Sequence, residues 1–180
     1  MKKSLISIAV VAVVLVAGFI WVKNTYNSLV SSSEEVSAAW AQVENVYQRR
    51  ADLIPNLVAT VKGYAEHESE TLAAVVEARS KATSVTISPE ELNEESIAAF
   101  QAAQNNLSGA LGRLIAIAEN YPELKASQNF SELQAQLEGT ENRISVERQK
   151  FNDTALAYNK QVKMFPSNIV ASIFGLEQKG

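Results

Sequence analysis

The sequence predicts an all-α protein in which an N-terminal membrane-spanning helix precedes a domain of packed helices. The 180 residues are rich in Ala, Val, Leu, Glu and Gln and poor in Gly and Pro, a composition that favours helices. From Tyr26 to Ala82 apolar residues recur at spacings of three and four, the period of a helix, and do not alternate as in a strand. The N-terminus contains a long, uncharged apolar run.

That apolar run has the length of a membrane anchor. Nineteen uncharged residues, 4–22, follow Lys2 and Lys3, and as a helix they would span about 28 Å of a hydrocarbon core ~30 Å thick. Trp21 and Lys23 suit the far interface. The alternative is a cleaved signal peptide, but its apolar region is shorter, ~7–15 residues, and ends at an A-x-A-like site that is not found here. We therefore expect an uncleaved anchor that contacts the bilayer through residues 4–22.

The N-terminal apolar segment also predicts the domain boundaries and the orientation of the chain in the membrane. We expect the anchor over residues 1–25, a helical bundle over 26–166 and a C-terminal tail over 167–180. Lys2 and Lys3 precede the span, whereas only Lys23 follows it within the ~15–20 residues that count for orientation. This charge bias predicts a cytoplasmic N-terminus and an extracytoplasmic bundle.

A proline interrupts the helical pattern that follows the anchor. Pro55 lies in "RRADLIPNLVATVKG", residues 49–63, and a proline inside a helix costs about 3 kcal/mol, whereas one in the first turn costs almost nothing. Asp52 stands where an N-cap residue would accept the free N–H groups. The pattern predicts a tight helix–helix corner at 49–52 and a new helix from Leu53. The alternative is a kinked long helix that turns later, near 63–68.

A surface connection and a third helix are predicted next. The polar stretch "SVTISPEELNEES", 84–96, has a capping-box pattern around Pro89 that predicts one short helical turn. A helix is then expected from Ile97 to Glu119. Gly109 and Gly112 lie in its middle and would allow close helix packing, although glycine lowers helix propensity.

The fourth predicted helix is the most regular part of the chain. In "NYPELKASQNFSEL", 120–133, Pro122 and an Asn129-x-x-Glu132 capping box predict a second corner that restarts the helix. Apolar residues then fall seven apart and should be mostly buried along one seam of a bundle: Phe130, Leu137, Ile144, Phe151, Tyr158 and Phe165. Phe165-Pro166 should end the helix. The apolar tail that follows is too short to span a bilayer, and would dock on the bundle, lie on the membrane surface or fray.

Long segments of the sequence resemble one known family. "RRADLIPNLVATVKGYAEHE", "NYPELKASQNF", "LQAQLEGTENRI" and "FN…YN…FPSNIVA" are similar to the hallmark segments of the LemA family, and "YNSLV" after the anchor fits as well. The resemblance implies a single-pass bacterial inner-membrane protein carrying an up-and-down four-helix bundle. Members are associated with membrane organisation, including magnetosome membranes, and with envelope proteolysis. The resemblance implies no particular reaction.

Charged residues at the predicted corner and in the fourth helix are candidates for interaction. Arg49, Arg50 and Asp52 would bind an anionic partner, although capping and ion pairing at the corner beside Pro55 is the favoured interpretation. A second polar group crowds the middle of the fourth helix: Glu138, Glu141, Asn142 and Arg143. Carboxylates in a bundle can bind two metals, but such sites require Glu-x-x-His pairs, which are absent here.

Two asparagines in the fourth helix form a further candidate pair. Asn152 and Asn159 lie seven residues apart, and each follows an aromatic residue. The favoured interpretation is that they hydrogen-bond a neighbouring helix, and the alternative is that they form an interaction face.

The composition disfavours most catalytic classes. There is no Cys and a single His, His67, which excludes disulfides, thiolate sites and His-rich metal sites. No phosphate loop or hydrolase motif occurs, and the basic residues are too scattered to suggest a nucleic-acid partner. We therefore expect no catalytic residue, no metal and no cofactor.

The favoured function is a membrane-anchored scaffold or interaction protein that binds itself, as a homo-oligomer, or another membrane protein. The alternatives are an adaptor or modulator of a membrane protease and, less favoured, an unrecognised enzyme or metal carrier.

Overall fold

The computed structural model describes the backbone of residues 2–180 and the side chains of residues 6–180. Within that range the regular structure is helical, without a strand, and the predicted all-α fold is confirmed. The helices are α1 (Lys2–Tyr64), α2 (Ser69–Ser84), α3 (Glu94–Ile117), α4 (Pro122–Lys125), α5 (Gln128–Lys163) and α6 (Ser167–Ile173), with 3-10 turns at Pro89–Glu91 and Ala118–Asn120. Lys2 and Lys3, on which the predicted sidedness depends, lie outside the described side chains.

Helix α1 continues through Pro55, so the predicted corner at 49–52 is wrong. The chain reverses only after Tyr64, where the alternative interpretation placed the turn. Asp52 is no N-cap, because its carboxylate accepts a hydrogen bond from Gln48 Nε2 at 2.8 Å, one turn earlier in the same helix. Ala51 and Ile54 are buried beside the proline. The buried face of α1 is thus continuous at this point, and its packing outweighs the local cost of a proline in the helix.

Residues 37–152 form a compact unit in which four long helices share one core. Short connections join α1, α2, α3 and α5, so that consecutive helices run antiparallel in the expected up-and-down bundle. Apolar residues from all four helices are buried together, among them Leu57, Val75, Leu114 and Leu137. Each such side chain contributes roughly 1.5–3 kcal/mol when it is fully removed from water.

An aromatic layer extends the core of this unit. The Trp40 ring lies 5.2 Å from that of Phe100 and 5.1 Å from that of Phe151, and Tyr47 lies 5.1 Å from Phe100. All three pairs meet edge to face, the arrangement that the ring quadrupole favours. The aromatic residues of α1, α3 and α5 therefore pack as one cluster.

The heptad prediction for the last long helix is confirmed for five of its six residues. Phe130, Leu137, Ile144, Phe151 and Tyr158 are buried, whereas Phe165 is 79% exposed. Phe165 departs from the pattern because α5 ends at Lys163, just before it, as the Phe165-Pro166 pair predicts.

Three local predictions about α3 and α5 are wrong. Helix α3 begins before Ile97, because Asn93 and Ser96 form a capping box: Ser96 N–H donates to Asn93 Oδ1 at 3.0 Å. Gly109 and Gly112 are exposed, and a Cβ at either position would meet no atom within 4 Å, so they do not mediate close helix packing. Helix α5 begins at Gln128, so Asn129 lies inside the helix rather than at its cap.

The second compact unit comprises the chain up to Val36 together with Asp153–Lys179. In it, α6 buries Val170 and Ala171 against Leu29 of α1. The Phe174 ring, at the end of α6, lies 4.5 Å from the ring of Tyr26. The tail therefore docks on α1, one of the three expected arrangements.

Hydrogen bonds hold the end of the tail against α5 in the same unit. Tyr158 Oη donates to the carbonyl of Glu177 at 2.9 Å. Asn159 Nδ2 donates to the Lys179 carbonyl at 2.6 Å, and Lys179 N–H donates to Asn159 Oδ1 at 2.9 Å. Asn159 thus binds the backbone of the tail, and not a neighbouring helix as the sequence favoured.

The N-terminal part of α1 exposes its apolar side chains. It is long and apolar enough to cross a membrane, and none of its most apolar window is buried. Side chains such as Leu15 and Phe19 are 68% and 71% exposed. Exposed apolar surface of this extent is unfavourable in water and suits a lipid environment.

Candidate interaction sites in the helical bundle

Arg79 compensates for the proline in α1. Pro55 has no N–H, so the carbonyl of Ala51, four residues earlier, lacks its helical donor. Arg79 Nε, on α2, donates to that carbonyl at 2.8 Å. The half-buried arginine therefore satisfies a buried acceptor that the proline leaves free and joins α2 to α1 at this point.

Arg50 lies at the centre of a hydrogen-bond network. It is only 3% exposed, and Nη1 donates to Ser108 Oγ at 2.8 Å and to Glu141 Oε2 at 3.0 Å. Nη2 donates to the side-chain oxygen of Gln104 at 2.8 Å and to its carbonyl at 3.2 Å. The guanidinium also lies 5.0 Å from the centre of the Tyr47 ring. These contacts offset the several kcal/mol that burying a charge costs.

Gln104 extends the Arg50 network to helix α2. Its Nε2 donates to the carbonyl of Ala82 at 3.2 Å, near the end of α2, where carbonyl groups lack helical partners. Arg50 belongs to α1, Gln104 to α3 and Glu141 to α5. The network thus connects all four long helices, and a shift of any one helix along its neighbours would break hydrogen bonds.

The surroundings of Arg50 also affect Tyr47. Burial raises the pKa of Tyr47, and the positive charges of Arg148 and Arg50 oppose that rise only in part. The Tyr47 hydroxyl is therefore neutral at physiological pH, and the ring lies close to both Arg50 and Phe100.

A groove of about 560 Å³ lies between α1 and α5 in the same unit. Its walls are Asn45, Val46, Arg49, Gln136, Gly139, Thr140 and Arg143, a set without a carboxylate. We call it the arginine groove. Arg49 and Arg143 are both exposed, and neither forms a hydrogen bond or ion pair within residues 6–180. Two exposed guanidinium groups of this kind can bind a carboxylate or phosphate with two parallel hydrogen bonds each.

Comparison with known proteins identifies the family of the chain. The model of the LemA family matches residues 39–180. The chain belongs to the LemA family. It is 28% identical over 191 residues to magnetosome protein MamQ 2 of Paramagnetospirillum magneticum, covering 96% of the chain and 70% of the relative. It is 28% identical over 189 residues to magnetosome protein MamQ of Magnetospirillum gryphiswaldense, covering 95% and 69%. It is also 26% identical over 148 residues to protein LemA of Metamycoplasma hominis, covering 81% and 63%.

The LemA fold separates the two adjacent arginines of the sequence prediction. Arg50 points into the core and binds Glu141, whereas Arg49 is exposed and lines the arginine groove with Arg143. The fold therefore combines residues of two separately predicted groups: Arg50, inside the bundle, pairs with Glu141, and Arg49 lines the groove with Arg143. Pro55 and Asp52 are exposed and belong to neither group.

Three other predicted residues of this LemA chain, Glu138, Asn142 and Asn152, are exposed on α5. Glu138 accepts a hydrogen bond from Gln134 at 3.2 Å. Asn142 and Asn152 are exposed, and neither hydrogen-bonds another residue of the described chain. Within residues 6–180, no group of three or more His, Cys, Asp or Glu side chains is placed to hold a metal ion.

Sequence reasoning missed Gln104, Ser108 and the role of Arg79. Arg79 carried a signal, because it stands in the apolar stripe of α2 where a charge needs a buried partner. Gln104 lies between the inward-facing Phe100 and Leu107, which marks it as a core-facing amide. Ser108 carried no comparable signal.

Proposed function

We propose that the protein is a membrane-anchored interaction protein whose helical bundle binds an acidic segment of a protein partner in the arginine groove. The observation that carries the proposal is the pairing of Arg49 and Arg143 in one groove without a neutralising carboxylate. Arg50, one residue away, uses its guanidinium inside the bundle, so the exposure of Arg49 is not a general property of this stretch. The family relationship to MamQ, a magnetosome protein by name, supports a membrane-associated role.

A second copy of the chain is one partner of suitable charge. Glu90, Glu91, Glu94 and Glu95 lie exposed around the start of α3. Such a cluster complements two arginines and would give head-to-tail association. Another membrane protein with an acidic segment is the alternative partner, and the two differ in what a crosslink captures.

Photo-crosslinking in native membranes tests the groove. A photoreactive residue at Gly139, which lines the groove, fits without a clash, because a Cβ there meets no atom within 4 Å. Gly112 is a matched control, since it is also an exposed helical glycine with no atom within 4 Å, but it lies on α3 outside the groove. We expect an adduct from Gly139 and none from Gly112.

The composition of the adduct distinguishes the partners. A ladder of this protein alone supports self-association, and an adduct with a different membrane protein supports a heterologous complex. Equal adducts from both positions, or none from either, would contradict the proposal.

Membrane anchorage by α1 is the second part of the proposal. The exposed apolar side chains from Ile6 to Ile20 support it. We propose a single pass through the inner membrane with the bundle outside the cytoplasm, because Lys2 and Lys3 before the span outweigh Lys23 after it. With a tag appended to the C-terminus, protease treatment of intact spheroplasts should remove the tag. A tag that is cut only after lysis would place the bundle in the cytoplasm.

A further inference from the structure

Helix α6 and the turn before it carry apolar side chains on two opposite sides. On the inner side Val170 and Ala171 are buried against Leu29. On the outer side Ile169 and Ile173, one helical turn apart, are 48% and 71% exposed. Three more exposed apolar residues flank them: Met164, Phe165 and Phe174, at 61%, 79% and 50%. So many large apolar side chains around a seven-residue helix mark a surface that is covered in the working protein.

The contacts of α6 place it beside the end of the apolar span. Along α1, Val22, Tyr26 and Leu29 all belong to the cluster on which α6 packs, and Val22 is the last residue of the predicted span. At ~1.5 Å per residue, Tyr26 lies about 6 Å and Leu29 about 10 Å beyond Val22. A headgroup layer adds roughly 5–7 Å to each side of the hydrocarbon core. Helix α6 therefore lies at the level of the membrane interface if Val22 marks the hydrocarbon edge.

Within the C-terminal segment 153–179, residues 164–174 contact α1 nearest to the span. Before α6, Gln161 of α5 donates to Ser32 of α1 at 3.0 Å. After α6, the tail returns along α5 to Tyr158 and Asn159, which bind it by hydrogen bonds. Along the chain, α5 therefore contacts α1 at Ser32 and α6 contacts it closer to Val22. The tail then returns to α5.

The charges around α6 favour a lipid surface as the occupant. From Lys160 to Leu176 the sequence contains two lysines, Lys160 and Lys163, and no carboxylate. Both lysines and Lys23 are exposed. An apolar face flanked by lysines is the signature of a helix that lies in the headgroup region of an anionic membrane.

We propose that α6 is an interfacial helix whose outer face, with Phe165, Ile169 and Ile173, inserts into the same bilayer that α1 crosses. The inference rests on the proposed membrane anchorage of α1. Together, the span and α6 would give the chain two lipid contacts, and the second would restrict the tilt and rotation of the first.

Lipid quenching of a single fluorescent label tests this contact in the full chain. The sequence contains no cysteine, so one engineered cysteine is a unique attachment site. Ile173→Cys carries the label on the outer face of α6. Leu156→Cys is the matched control, because Leu156 is also an exposed apolar residue, 55% exposed, but lies on α5 two turns before Lys163. Both proteins are labelled with a polarity-sensitive dye and reconstituted into phosphatidylcholine–phosphatidylglycerol vesicles with a spin label near the headgroups.

We expect the Ile173 label to lose several-fold more of its emission than the Leu156 label and to emit at a shorter wavelength. Equal quenching at both positions would overturn the interfacial helix. If the protein then still resists carbonate extraction, anchorage by α1 stands and only this inference fails, whereas extraction by carbonate would overturn both. Disulfide-linked dimers of unlabelled Ile173→Cys, in place of quenching, would show that a second copy covers this face and would also overturn the inference.

Discussion

The Arg50 network predicts that two substitutions together destabilise the bundle less than one of them alone. Gln104→Leu removes an acceptor 2.8 Å from Arg50 Nη2 and the donor to the Ala82 carbonyl. A buried guanidinium that loses a partner costs about 2 kcal/mol and the lost bond to Ala82 about 1 kcal/mol, so we expect a total near 3 kcal/mol. Adding Arg50→Met removes the buried charge itself, and Glu141, with 58% of its side chain exposed, is then solvated by water. The double variant should therefore cost only about 1 kcal/mol.

Urea unfolding of the detergent-solubilised full chain measures this coupling. The fluorescence of Trp40, which is buried between two phenylalanine rings, reports on the bundle once Trp21, the other tryptophan, is replaced by Phe. Arg49→Met is the matched control, since this exposed neighbour should change the free energy of unfolding by less than ~0.5 kcal/mol. The reasoning would be refuted if the loss of unfolding free energy in the double variant equalled the sum of the losses in the two single variants. Gln104→Leu would then not leave a buried, unpaired charge on Arg50 that the second substitution removes.

The same assay tests three further predictions. Pro55→Ala should raise the free energy of unfolding by at least ~1 kcal/mol, because alanine restores an N–H for the Ala51 carbonyl and the exposed proline contributes little packing. Unchanged or lower stability would contradict the view that a proline inside α1 destabilises the helix. Phe151→Ala should cost about 3–5 kcal/mol and the exposed control Leu156→Ala less than ~0.5 kcal/mol; similar costs would mean that Phe151 is not a core residue. The pKa of Tyr47 is higher in the folded protein than the value of ~10 in the unfolded chain. The stabilisation that the neutral Tyr47 side chain provides is therefore complete below pH ~10, and it is lost as the pH rises through the pKa of the folded protein. Stability should thus fall above pH ~10, and less so in Tyr47→Phe; equal losses in both would exclude Tyr47 as a cause.

The sequence predicts most of the fold because helix period and heptad spacing are local properties of the chain. The buried seam of α5 from Phe130 to Tyr158 follows from seven-residue spacing, and its end follows from Phe165-Pro166. The predicted corner at 49–52 is wrong because tertiary contacts outweigh the local preference of proline for the first turn of a helix. Arg79, distant in sequence, supplies the hydrogen bond that Pro55 cannot, and the continuous buried face of α1 supplies the packing.

Much less of the candidate site is predictable. The sequence identifies Arg49, Arg50, Glu141 and Arg143 as charged residues near predicted core positions, but not which of them are buried. Only the packing of α1 against α5 separates the buried Arg50, which pairs with the exposed Glu141, from the exposed arginines of the groove. The helix period places Gln104 on the core side of α3, but its partner Arg50, 2.8 Å away, is known only from the structure.

Photo-crosslinking from Gly139 in native membranes, repeated with altered groove charges, tests most directly whether the bundle is a membrane-anchored interaction protein. The adduct should persist when Arg49 and Arg143 are both changed to Lys, because the positive charge remains, and should be lost when both are changed to Glu. Both variants should unfold like the parent chain, since these side chains are exposed and bind no described residue. An adduct of undiminished yield in the Glu variant, or no adduct in the parent chain, would contradict binding through the arginine groove.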